Sequence, residues 1–104
     1  MKIQIICIGK LKEKYWSEAL AEYMKRLSKY CDPQITELRE SKLPDKASAA
    51  DEEIVIDEEG KNILKHIKEG SYVVSLEIGG KALSSEELAE KIDDLALSGR
   101  SHIT

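Results

Sequence analysis

The chain has 104 residues, with 16 Lys+Arg against 20 Asp+Glu, a formal net charge of -4, and 41% apolar and 35% charged residues. Those proportions fit one small globular domain over residues 1–104 and exclude a chain that is disordered throughout. No apolar run approaches the roughly 20 residues that cross a bilayer. The opening MKIQIICIGKLKEKYW has only a short apolar stretch and no small-residue cleavage site, so neither a membrane span nor a signal peptide is expected.

The opening segment Lys2-Ile3-Gln4-Ile5-Ile6-Cys7-Ile8 is β-branched and nearly all apolar, and Gly9 ends it. Such a run predicts a strand buried on both faces, as in parallel sheets. An amphipathic helix is predicted over about Lys14 to Tyr30. Tyr15, Trp16, Leu20, Tyr23, Met24 and Leu27 recur there at three- and four-residue steps, and Cys31-Asp32-Pro33 closes it. Gln34–Leu38 predicts a short second strand, followed by a loop-like stretch from Arg39 to Ala50. A second helix is predicted from about Ser48 to Ile67, weakened at Gly60 and broken at Gly70.

Ser71–Ile78 predicts a third strand, turned by Gly79-Gly80-Lys81. Ser84 with Glu87 three residues on is a capping-box signature that opens a third helix, closed by Gly99. Ser101–Thr104 then reads as the beginning of a fourth strand. The order β-α-β-α-β-α-β predicts a three-layer α/β fold with a mainly parallel sheet. Such a sheet has an edge that calls for another strand beside it.

Charge is unevenly spread. Residues 1–31 hold seven bases and three acids, whereas residues 32–104 hold nine bases and seventeen acids. A polyanion such as RNA would therefore meet the first third of the chain. Gly9 to Trp16 leaves the carboxyl end of the first strand with Lys10, Lys12 and Lys14 beside Tyr15 and Trp16, a candidate phosphate-and-stacking patch. Core packing is the commoner job for those two aromatics. Gly79-Gly80-Lys81 lies on the same rim, where α/β proteins bind ligands, although it lacks the Walker A pattern and the third glycine of a dinucleotide fingerprint.

Little else carries chemistry. Cys7 and Cys31 have no ligand-spaced His or Cys beside them, so no disulfide scaffold and no metal site is expected, and a reducing, cytoplasmic setting is the default. His66 and His102 lack a Ser, Cys or Asp partner at a telling spacing. The acid clusters at 51–53 and 57–59 read as solvated helix surface. No catalytic residue can be named.

Three separated blocks carry a resemblance: the opening strand with Gly9-Lys10-Leu11-Lys12-Glu13-Lys14-Tyr15-Trp16, the helix Ala21–Cys31, and Gly80-Lys81 with Leu83-Ser84-Ser85-Glu86-Glu87-Leu88-Ala89. Together they resemble the ribosomal RNA large subunit methyltransferase H family, small bacterial members of the SPOUT class. The resemblance implies methyl transfer from S-adenosylmethionine to N3 of a pseudouridine in 23S rRNA, on the assembled ribosome in the cytoplasm, by a homodimer. It also implies a parallel sheet, a deep C-terminal trefoil knot, and a donor contact at Leu76. The match spans the N-terminal two-thirds of the family pattern. The knot and most of the donor pocket are therefore expected beyond Thr104, and the 104 residues alone are expected to leave that pocket open. Two other readings remain at this stage: a non-catalytic α/β module that binds RNA or a partner through the Lys10–Lys14 rim, and nucleotide binding at Gly79–Lys81.

Overall fold

The apolar opening run is paired along both edges. In the computed structural model, which describes residues 1–104, β1 (Lys2–Ile8) runs parallel to β2 (Asp32–Leu38), in register from Lys2↔Asp32 to Ile8↔Leu38. Its other edge runs parallel to β3 (His102–Ile103), from Lys2↔His102 to Ile3↔Ile103, so the sheet order is β2-β1-β3. The connecting helices are α1 (Lys14–Leu27), α2 (Ala49–His66) and α3 (Ser85–Leu97). Tyr72 bridges to Ile103 on the far side of β3, again parallel. The connections through α1 and α3 step across the sheet in one direction and that through α2 in the other. Right-handed crossovers then place α1 and α3 on one face and α2 on the opposite one. This is the three-layer α/β fold with a parallel sheet that the alternation predicts.

Local chemistry sets the element ends. Ser48 and Ser84 each accept from the backbone N–H three residues on, and the Asp51 and Glu87 carboxylates accept in return, which makes two complete capping boxes. Gly70 and Gly99 adopt positive φ (82° and 90°) where the chain turns after α2 and α3. Pro33 lies in β2 rather than stopping a helix. It has no N–H to donate, and the outer strand of the sheet tolerates that loss. Helix α1 instead stops at Leu27, where the Ser28 hydroxyl donates to the Lys25 carbonyl (2.6 Å) and Tyr30 and Cys31 N–H close onto the Leu27 carbonyl.

Two expectations need correcting. The run Ser71–Ile78 does not form a full strand. Its ladder is Tyr72 N–H to His102 O, Thr104 N–H to Tyr72 O and Val74 N–H to Thr104 O, and it ends there. Within the sheet, β3 lies between β1 and the 72–74 segment. Nor is β1 buried on both faces: Lys2 and Ile5 are exposed, and its other residues are half-buried.

Coverage of the sheet is thin. Only Leu38, Leu95 and Ile103 are buried. The accessible surface is 8766 Å², whereas a compact monomer of this mass exposes about 5900 Å². The radius of gyration is 16.1 Å, against about 13 Å for a compact chain of this length. Along α1 only Leu20 and Met24 are half-buried, and Tyr15, Trp16, Tyr23, Leu27 and Tyr30 stay exposed.

Gly60 has no positive φ, and a methyl group built on it meets nothing within 4 Å. Gly60→Ala is therefore expected to stabilise α2 by about 0.5–1 kcal/mol, read as a rise of a few degrees in the thermal midpoint. The Asp51 carboxyl is held below its usual range, first by the Ser48 backbone N–H and then by the Ser48 hydroxyl. A depressed carboxyl pKa contributes stability at neutral pH that is lost as pH falls through it. Melting of Ser48→Ala should thus lag wild type at neutral pH, and the gap should shrink below about pH 4.

Candidate nucleic-acid interface

Because the strands are parallel, their carboxyl ends share one rim, and the residues that follow each strand converge there. β1 delivers Gly9, Lys10 and Lys12; β2 delivers Arg39 and Glu40. Gly9 donates its N–H to the Leu38 carbonyl (2.7 Å) and takes φ 82°, which turns the chain out of β1 toward α1. On the β2 side, Ser41 N–H donates to the Glu59 carboxylate of α2 (3.2 Å), which ties the start of the β2–α2 loop to a helix.

The two turns flank an open cleft of about 440 Å³ lined by Gly9, Lys10, Lys12, Glu37, Leu38, Arg39 and Glu40. Beside it, between α1 and β2, lies a more apolar cavity of about 300 Å³ lined by Leu11, Leu20, Ala21, Met24 and Ile35, with Ser17, Lys10 and Glu37 at its polar side. The ion pairs of the molecule are Lys14–Glu18, Arg26–Glu22 and Lys61–Asp57, all exposed and within one helix. Lys10, Lys12 and Arg39 take part in none of them, although two carboxylates share their cleft.

The three lysines singled out by the sequence thus divide. Lys10 and Lys12 line the cleft, whereas Lys14 sits in the first turn of α1 with its ammonium 3.8 Å from Glu18. Tyr15 and Trp16 stay exposed, their ring centroids 5.4 Å apart in a tilted pair. Arg39 was not singled out in the sequence. The available signal was its place directly after β2, on the rim that Lys10 occupies after β1.

Leu76 is 93% exposed, and Ile78 stands fully in solvent. Both follow the 72–74 pairing toward the same rim, before the Ile78-Gly79 turn that Gly80 N–H closes onto the Glu77 carbonyl (3.2 Å). The Tyr72 and Val74 N–H groups point to β3, so those of Val73 and Ser75 face the open side, and they have no backbone partner. Strand spacing puts this segment roughly 10–15 Å from the Lys10–Arg39 cleft.

The remaining candidates sit apart from the rim chemistry. His66 Nδ1 lies 2.8 Å from the Asn62 carbonyl at the end of α2. His102 lies in β3, half-buried, with both ring nitrogens shielded and without a protein partner. Cys7 lies beside Glu37 across the β1–β2 pair, and burial first and that carboxylate second push the thiol pKa up, so it is a poor nucleophile. No group of three or more His, Cys, Asp or Glu side chains is gathered as a metal would need. No helix is long and apolar enough to cross a membrane.

All 104 residues match a family model described as "Predicted SPOUT methyltransferase". The chain is 56% identical over 103 residues to the ribosomal RNA large subunit methyltransferase H of Clostridium novyi (strain NT), and 50% identical over 103 residues to that of Clostridium acetobutylicum. It is 47% identical over 104 residues to a putative ribosomal RNA large subunit methyltransferase H of Methanococcus maripaludis. These matches cover 99 to 100% of this chain and 65% of each relative, so the chain spans just under two thirds of their length.

The rim depends on the turn at Gly9. A methyl group there would sit 2.6 Å from a Glu40 carboxylate oxygen, which can swing away, but the positive φ cannot be relieved so cheaply. Gly9→Ala is expected to cost about 1–2 kcal/mol, seen as a lower denaturation midpoint.

Proposed function

This chain belongs to the SPOUT methyltransferase family, and on that footing we propose that the protein transfers a methyl group from S-adenosylmethionine to N3 of a pseudouridine in 23S rRNA. The observation that carries this reading is 47–56% identity along 99–100% of the chain to proteins named for ribosomal RNA large subunit methylation. The reading includes action on the assembled ribosome, in the cytoplasm, by a homodimer. The unpaired cations Lys10, Lys12 and Arg39 on the strand-end rim support it, since an RNA backbone is the polyanion that such a rim suits.

The residues present fit one wall of a donor site. Leu76 and Ile78 offer exposed apolar surface for an adenine face, and the chain beyond them turns through two glycines that leave the backbone approachable. S-adenosylmethionine would supply an electrophilic methyl carbon on a sulfonium. What the chain supplies is alignment: Leu76 on the donor side, and Lys10 and Lys12 to hold RNA phosphates on the same rim, roughly 10–15 Å away. A displacement of this kind gains most of its rate from positioning, which accords with the lack of a nucleophile–base pair. Removal of the N3 proton needs an acceptor, and no residue of this chain is assigned to it.

The test is incubation of the native protein with ribosomes and methyl-labelled S-adenosylmethionine. Label is expected in 23S rRNA at a pseudouridine, and wild-type protein that leaves 23S rRNA unlabelled would sink the reading. Leu76→Asp places a charge on the donor wall and is expected to weaken S-adenosylmethionine binding at least about tenfold by calorimetry, with RNA binding retained. RNA binding by a wild type that never binds the donor would favour the non-catalytic module instead.

A further inference from the structure

The two cavities are neighbours. Lys10 and Glu37 border both, so the cationic cleft adjoins the apolar cavity between α1 and β2. One side of this pair offers three cations with no internal partner. The other offers Leu20, Met24 and Ile35. Glu37 stands where they meet. That sequence of surfaces, cationic then acceptor then apolar, matches the phosphate, ribose and base of one nucleotide.

We infer that the neighbouring cavities form a subsite for a single unstacked RNA nucleotide, distinct from the segment around Leu76. Its phosphodiester lies on Lys10, Lys12 and Arg39, and its base lies against Leu20, Met24 and Ile35. The inference rests on the reading of the protein as an rRNA methyltransferase for the identity of the nucleic acid.

Three arguments carry it. First, charge: Lys10, Lys12 and Arg39 crowd one cleft without pairing to Glu37 or Glu40, so their charge is available to an outside anion. Arg39 adds a planar fork of donors that suits a phosphate. Second, size: the apolar part alone, about 300 Å³, lies at the lower end of the range typical for ligand pockets, which is about 300–1,000 Å³. Third, acceptors: the Glu37 carboxylate at the junction accepts from a ribose 2′-hydroxyl, the group by which a protein distinguishes RNA from DNA. RNA loops present splayed bases of this kind, whereas a paired duplex does not.

The experiment is fluorescence anisotropy of the native protein with a labelled uridine decamer and its deoxy counterpart, over a range of salt. Arg39→Gln removes an exposed cation without disturbing an element, and is expected to weaken RNA binding about five- to tenfold. It should also lower the slope of log K against log salt by about 0.7. Ala21→Trp fills the apolar cavity and is expected to weaken binding with the salt slope unchanged. Glu37→Gln is expected to reduce the preference for the RNA decamer over the DNA one. Lys29→Gln, a cation at the far end of α1, is the control for charge alone.

Binding within twofold of wild type in Arg39→Gln, or an equal loss in Lys29→Gln, overturns the subsite. Unaltered binding in Ala21→Trp, with circular dichroism showing an intact fold, overturns the seat for the base. Donor binding is measured separately on the same proteins. A wild type that binds RNA through Arg39 but not S-adenosylmethionine would refute the methyltransferase reading and leave the subsite standing. A protein with donor binding and methyl transfer but no effect at Arg39 would do the reverse.

Discussion

The structure depends on β1 being paired in parallel along both edges. Parallel pairing with β2 and β3 fixes the direction of each neighbouring strand, and with it the end of the sheet at which every following loop emerges. Residues far apart in sequence, Lys10 after β1 and Arg39 after β2, meet because Ile8 pairs with Leu38 and the chain leaves both at the same height. A one-residue slip would reverse the faces of β2. Ile35 would leave the α1 side, and the apolar cavity would lose its floor. Chemistry at the rim is therefore set by strand register rather than by any local motif.

Hydrophobic cover is the weaker part of the structure. Three residues are buried, and the helix ends are defined locally, by two complete capping boxes and by the glycine turns that follow α2 and α3. The intrahelical ion pairs add little, because exposed pairs of this kind contribute only about 0.3–0.5 kcal/mol each. Large apolar side chains remain exposed on α1 at Trp16 and Tyr23, just after it at Tyr30, on α2 at Ile56 and Leu64, and at Leu76 and Ile78. Where such side chains gather into a patch, other surfaces pack.

The sequence made the elements legible where one strong local signal acted alone. β-branched density gave β1, periodicity gave α1, and the Ser84–Glu87 cap placed the start of α3 to the residue. It misled where the outcome depends on what lies alongside. Ser71–Ile78 reads as a strand, yet strand formation needs a partner alongside, and its pairing is confined to residues 72–74. Trp16 and Tyr23 fall on the apolar stripe of α1 but remain uncovered, since a stripe says which side seeks contact and not how much surface faces it. Among site residues, Lys10 and Lys12 were visible as a local cluster. Arg39 was not, because a lone arginine becomes informative only once β2 is known to end beside β1.

Charge distribution gives the rim its orientation toward a polyanion. The first 31 residues carry an excess of base, and the remainder a large excess of acid, much of it on α2 and α3. An RNA approaching at random would be repelled by the acidic helices and drawn to the β1–α1 turn, so the long-range field selects the approach before any contact forms. Screening limits that selection to roughly 8–10 Å at ordinary ionic strength, so close contacts must complete it. Lys10 and Lys12 are unpaired and would be available for such contacts, whereas Lys14, 3.8 Å from Glu18, is partly neutralised by its own helix. What separates the three lysines is not their spacing in sequence but whether the fold has already given each one an anion.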